Sequence, residues 1–392
     1  MNNQWKIYML ALISFLVGTT QFSIVGMLDK IAASAGVSVS TAGQLITVFA
    51  LGNAIGTPIV MIATARMNQR KQLLMALSIL LLGIASTLSL PGFALLMASR
   101  VVLGLGTGIF VVTAYSLASK LAIPGRQGSA MSNVAMGFSS SLVFGVPIGR
   151  IIAASYNWKT IFWGIGLLCL LAVFLVAKFI PAMDGEASVP LSRRLAFLKQ
   201  PRIAITLGVT FFVFVGFSAV DTYITPFLSA VMPTMESKMS VILLTLGVGS
   251  LMGSRLGGFL ADRIGVIRTL FCSMAVQALA LMMLQSAVSG WIIATIVFLM
   301  VWEIAVWTFG PTQNFNLVSL APEASSIVLS LNSSFVQLGF AAGAGIGGAA
   351  IRSFSIMAIP WISAISVVIA AAIAVLSLSG GKYNQTKQEQ MQ

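Results

Sequence analysis

Twelve apolar blocks constrain this chain more than any other feature of its sequence. They fall at about 6–28, 41–63, 72–90, 93–118, 129–154, 160–180, 203–230, 240–260, 267–287, 291–317, 326–350 and 355–378. A helix of about 20 residues, rising 1.5 Å per residue, crosses the ~30 Å of a bilayer's hydrocarbon core. Hydrocarbon offers no partner for backbone N–H and C=O groups, so blocks of this length satisfy them internally as helices. Together with short connections they use nearly all 392 residues, and no sizeable soluble domain fits. The expectation is an all-α membrane protein of twelve transmembrane helices. The first block has only Lys6 as a basic start, an overlong apolar run and no small-x-small cleavage site. It reads as an uncleaved first helix rather than a signal peptide.

The charges are few and unevenly placed. Only 8% of residues are charged, where a soluble domain carries about a quarter. The net charge of +13 would point to nucleic acid in a soluble protein. With the N-terminus inside, however, cytoplasmic segments hold 15 of the 22 lysines and arginines. The outside holds five: Lys30, Arg150, Lys159, Lys238 and Arg352. That asymmetry places both termini in the cytoplasm. The basic charge then serves topology and contact with anionic lipid, not nucleic-acid recognition.

The chain has no histidine and only two cysteines, Cys169 and Cys272, both mid-helix and expected to pack against apolar neighbours. A histidine-based triad, a histidine proton relay and a metal cluster are excluded. No cofactor and no enzymatic activity is expected.

Residues 181–202 are the most polar stretch, and divide the chain into a six-helix bundle (1–180), a cytoplasmic linker and a second bundle with a short tail (203–392). Within the linker, Leu191 to Leu198 reads as a short interfacial helix. The halves echo each other. A basic loop from Arg66 to Lys71 follows helix 2, and one from Asp262 to Arg268 follows helix 8, with Arg66 and Arg263 197 positions apart. Ile123-Pro124 and Ala321-Pro322 are 198 apart, and each precedes a helix with a Gly-Phe pair, Gly137-Phe138 and Gly339-Phe340. Two repeats around a midplane site are the layout of a large class of secondary transporters.

Three ionisable residues lie deep in apolar helices: Arg100, Asp221 and Glu303. Charge in hydrocarbon is costly, so such groups face a bundle interior or a water-filled cavity. At 1.5 Å per residue, Gln21 and Arg100 sit ~10 Å from the outer surface, Asp221 ~14 Å and Glu303 ~18 Å. Arg100 stays protonated and cannot carry the proton. It can tune a nearby carboxylate, hold an anionic or carbonyl group, or cap backbone carbonyls. Helical spacing puts Ser218, Thr222 and Thr225 on the face of Asp221, and Trp307, Gly310 and Asn314 on that of Glu303, beside Trp302. An acid beside aromatic rings suits a cationic or ring-bearing substrate. Either acid could instead be structural, held by a neighbouring helix.

At this point the residues resemble the major facilitator superfamily, in its twelve-helix drug:proton antiporter branch. The loop from Gly258 through Asp262, Arg263 and Gly265 to Arg268 is similar to the superfamily's inter-helix motif. Ser99-Arg100 with Gly104, Gly106 and Gly108 resembles its helix 4 motif, and Gly137 with Gly145, Pro147 and Gly149 the helix 5 motif of antiporters. A nearer resemblance is to bacterial arabinose, purine and purine-nucleoside efflux proteins, carried by Gln21 to Ala32, Ala42 to Gly52, and Trp302, Trp307, Pro311 and Gln313. It implies a monomer in the bacterial cytoplasmic membrane that exports a drug-like molecule, purine, nucleoside or sugar against protons. Three positions depart from the pattern. Gln21 stands where a glutamate is common, Glu303 where a glycine is usual, and Ala65 where an aspartate is common.

The roles that follow are a proton or cation site at Glu303 and Asp221, modulated by Arg100. Gln21, Phe22, Trp302, Trp307, Asn332 and Gln337 would contact substrate. Asp262, Arg263 and Arg268 would lock the cytoplasmic face, and Gly145, Pro147 and Gly149 would serve conformational change. An uncoupled facilitator, or a sensor or scaffold without transport, are the alternatives.

Overall fold

The computed structural model describes residues 4–64, 66–89, 92–123, 127–183, 197–287, 292–321 and 325–389. Among them are twelve helices long and apolar enough to cross a membrane. Spans 1 to 6 are Gln4–Gly26, Val39–Ala63, Gln69–Ser89, Phe93–Ala118, Asn133–Ser155 and Thr160–Phe179. Spans 7 to 12 are Pro201–Thr222, Pro233–Ala261, Val266–Leu284, Ile292–Leu320, Ile327–Ser353 and Ile356–Val375. The expected all-α, twelve-helix architecture is thus present. Ala65 and most of the expected interfacial helix, up to residue 196, lie outside the described residues.

Contacts divide the chain into two compact units: Met1–Val189 with Asp221–Val248, and Pro190–Val220 with Gly249–Gln392. The first has a continuous apolar core that includes Leu10, Val17, Leu45, Leu77, Phe110 and Phe162. Outside this core, span 6 exposes Trp163, Leu167, Leu170 and Phe174, each more than half exposed. So wide an apolar face belongs against lipid rather than water. Cys169 packs in the core, whereas Cys272 is exposed on span 9, contrary to the packing role expected for both.

Glycine lets spans touch backbone to backbone. In the first unit a Cβ on Gly104 of span 4 would collide with the Phe49 carbonyl of span 2, and one on Gly137 of span 5 with the Ala11 carbonyl of span 1. The second unit repeats the device. Gly257 of span 8 faces Thr308 of span 10, whose carbonyl oxygen would lie 2.5 Å from an added Cβ. Gly343 of span 11 faces Val215 of span 7. Small residues give membrane helices this close approach, and dispersion and polar contacts replace the missing hydrophobic drive.

Two proline-linked distortions and two breaks shape the spans. Gly52–Gly56 and Ser141–Gly145 are π-helical turns, each directly before a segment with proline in its first turn, Pro58 and Pro147. Proline lacks an N–H and collides with the carbonyl four residues earlier, and a widened turn absorbs that misfit. Span 1 ends at Gly26, and after Met27 a short helix, Leu28–Ala35, continues it. Span 7 ends at Thr222, and after Tyr223 comes Ile224–Val231. The two breaks lie 196 positions apart, so the sequence repeat is also a repeat of helix geometry.

Candidate functional site

The expected site residues fall into two groups, one in each unit. In the first, Arg100 is 1% exposed. One guanidinium nitrogen, Nη1, donates to the Thr20 carbonyl oxygen at 3.2 Å. Its cationic carbon lies 4.8 Å from the centre of the Phe162 ring. Its Nε and Nη2 are buried without a partner. Arg100 forms no ion pair among the described residues. A buried charge with two idle donors is expensive unless something pairs with it. Next along span 1 stands Gln21, whose Oε1 is buried and equally unpartnered. Phe22 is buried edge-on against Phe138, ring centres 5.6 Å apart.

Asp221 belongs to the same unit. Thr225, one turn further on, donates its hydroxyl to the Val25 carbonyl oxygen at 3.1 Å and so joins the span 7 continuation to span 1. Spans 1 and 7 are both odd-numbered and cross in the same direction. One turn back from that bond stand Gln21 on one helix and Asp221 on the other. Asp221 is half-buried, and among the described residues its carboxylate has no hydrogen bond or ion pair. On its face, Ser218 bonds the Phe340 carbonyl oxygen at 2.8 Å rather than the acid.

The second group is an aromatic cluster around one acid. Trp302 stacks on Phe217 with centres 5.6 Å apart and planes 22° apart. Phe217 also meets Trp307 and Phe340 edge-on, at 6.2 and 5.5 Å. Phe214 stacks on Phe340 at 5.8 Å. Within this wall Glu303 is 7% exposed, and Trp307 donates its indole N–H to Glu303 Oε1 at 2.8 Å. The Trp302 indole N–H is buried without a partner. A Cβ built on Gly310, on the same helical face, meets nothing within 4 Å. Flat rings with a carboxylate at their edge can hold a ring-bearing or cationic group.

Asn332, expected among the substrate contacts, is engaged by protein on both sides of its amide. Thr210 donates to its Oδ1 and its Nδ2 donates to Asn314, each at 2.8 Å. Gln313 extends the ladder to Thr210 at 3.0 Å and to the Thr206 carbonyl oxygen at 2.8 Å. This ladder ties spans 7, 10 and 11 together. Gln337 is half-buried on span 11, with no hydrogen bond among the described residues.

Of the expected gating residues, the Asp262 side chain lies outside the described ones, Arg268 is exposed, and the exposed Arg263 lies 4.9 Å from the Phe259 ring centre. Gly145 and Gly149 face span 1, where an added Cβ would lie 2.9 Å from Thr19 Oγ1 and 3.2 Å from Ser23 Cβ. Pro147 follows the π-helical turn that ends at Gly145. The rings of Phe214, Phe217 and Phe340 escaped sequence reading because phenylalanine in an apolar span looks the same against lipid as in a cluster. No group of His, Cys, Asp or Glu suited to a metal occurs among the described residues.

The sequence profile of the Major Facilitator Superfamily matches residues 10–326. This chain belongs to that superfamily. The transporter is 41% identical over 376 residues to the uncharacterized MFS-type transporter YbcL of Bacillus subtilis (strain 168), covering 96% of each chain. Its fold is similar to a bacterial homolog of the human lysosomal transporter Spinster, crystallised inward-facing and occupied. That likeness has a TM-score of 0.76 at 17% identity, over 96% of this chain and 97% of the other. A D-xylose–proton symporter gives 0.77 at 16%, over 95% and 96%. The protein is therefore a multi-pass membrane transporter and not an enzyme.

Proposed function

We propose that this transporter exports a small organic molecule in exchange for protons, by alternating access, with Asp221 and Glu303 as the groups that bind and release the proton. The observation that carries this reading is Asp221. A carboxylate at membrane depth with no partner, level with a glutamine where related antiporters carry an acid, takes over the missing group. Glu303 lies in the aromatic wall, where a ring-bearing substrate and a proton compete for one carboxylate. Binding of either weakens binding of the other, which is the linkage an antiporter needs. Arg100 holds the field around Gln21 and Asp221 positive and offers idle donors to a carbonyl or anionic group. The substrate class is a purine, nucleoside, sugar or amphiphilic drug. The basic-residue asymmetry supports a bacterial cytoplasmic membrane with both termini inside, and the protein works as a monomer.

A second reading has one observation in its favour. Gln21 removes the usual acid from span 1, which fits an uncoupled facilitator. Reconstitution in liposomes under a pH gradient separates the two, with labelled purines, sugars and cationic drugs as probes. Accumulation that disappears when the gradient is collapsed is the expected result. Movement only down the substrate's own gradient would favour the facilitator.

A further inference from the structure

Four charged residues outside both half-sites form a connected group at one end of the first unit. Arg150, at the end of span 5, is 3% exposed, and its Nη1 donates to both carboxylate oxygens of Asp29 at 2.5 and 2.7 Å. Its Nη2 lies 3.7 Å from Glu236 Oε1, and Lys30 Nζ lies 3.5 Å from the same oxygen. Helix packing explains how Arg150 meets Asp29. A Cβ on Gly26 would lie 2.6 Å from the Val146 carbonyl oxygen, so spans 1 and 5 touch there. Both helices run the same way, and one turn further on they present Asp29 and Arg150. The group holds two acids and two bases, so its charge balances.

Glu236 comes from the other sequence half, in the short 3-10 turn Pro233–Lys238 between spans 7 and 8. That connection packs with the first-half spans. Tyr223 O–H reaches the Ser40 carbonyl oxygen at 3.5 Å, and a Cβ on Gly247 would lie 2.7 Å from Val143 Cα. The segment Asp221–Val248 is accordingly part of the first unit. Alternating access requires the two sequence halves to separate at each end in turn. We propose that Arg150, Asp29, Lys30 and Glu236 form an ion-pair latch that fastens the span 7–8 connection to spans 1 and 5 and opens once per transport cycle.

The geometry divides the latch into a fixed part and a moving part. The Arg150–Asp29 pair is short, two-pronged and contained within the first six spans, so it survives opening. The Glu236 side chain is 55% exposed and its contacts are long, so water replaces them at little cost when the connection lifts away. Glu236 is the hook; the buried pair is the catch that holds Arg150 aimed at it.

The test is a distance measurement between spin labels on Ser34 and Thr234, both exposed, in full-length protein in lipid nanodiscs with Cys169 and Cys272 replaced by alanine. Glu236 is exposed, so its variants fold, and circular dichroism checks this. Glu236→Gln should move weight from the short-distance to the long-distance population by up to about fivefold, the range for an exposed pair. Glu236→Lys places a like charge before Arg150 and should move more. Distance distributions for Glu236→Lys that superimpose on those of the unaltered latch would overturn the proposal.

Discussion

Gln21 and Phe217 hold equivalent places, since the 196-position step between the helix breaks carries one to the other, yet their surroundings differ in kind. On spans 1, 4 and 7 the first unit carries polar groups that lack partners: Gln21 Oε1, Arg100 Nε and Nη2, and the Asp221 carboxylate. Around Phe217 the second unit collects rings, and the acid among them, Glu303, accepts an indole N–H. The two copies of one repeat thus differ: unpartnered polar groups in one, packed rings in the other. Idle polar groups in a low-dielectric interior are high in energy and respond to a proton or a polar ligand. A packed aromatic wall is low in energy and selects by shape.

That contrast can be broken from either side. The largest effect is expected from removing both acids. Glu303→Gln with Asp221→Asn should lower gradient-driven transport roughly a hundredfold or more, as loss of positioned proton-transfer groups does. Next comes the ring side. Phe217→Ala should cost about 3–5 kcal/mol of stability by leaving a cavity beneath Trp302, read as a lower unfolding temperature in detergent. The same substitution made through Phe217→Leu should fold and weaken binding of ring-bearing probes.

Gln21→Glu sharpens the comparison by restoring an acid beside Arg100. A buried pair formed there would compensate the guanidinium and shift the pH profile of transport. An unchanged profile would show that Gln21 and Asp221 do not share a site. Two glycines give the smallest and opposite effects. Gly104→Ala forces a Cβ into the Phe49 carbonyl and should destabilise by about 1–3 kcal/mol. Gly310→Ala meets open space in a helix interior and should stabilise by up to about 1 kcal/mol. Thermal unfolding of the two variants reads both signs.

The twelve spans were legible because a bilayer imposes both length and internal hydrogen bonding, leaving hydropathy little ambiguity. The buried charges were legible for the same reason: they break an otherwise apolar pattern. What pairs with what was not. Arg150 and Asp29 are 121 positions apart, and no local spacing announces them. The break at Tyr223 lies inside one apolar block, but Pro226 in the first turn after it cannot bond the Thr222 carbonyl four residues back, which marks the break in the sequence. The π-helical turn at Gly52–Gly56 had a signal of the same kind, since a span proline at Pro58 demands relief in the preceding turn. The partners that hold Asn332, Thr210 and Asn314, come from two other spans, so local spacing does not name them.

The central claim is that the proton is carried by Asp221 and Glu303 and not by span 1. It is tested most directly by comparing the unaltered protein with the Asp221→Asn, Glu303→Gln double variant in proteoliposomes under an imposed pH gradient, using a probe that the unaltered protein accumulates. The double variant should move that probe only down its own concentration gradient. Accumulation by the double variant that still collapses with the pH gradient would contradict the account.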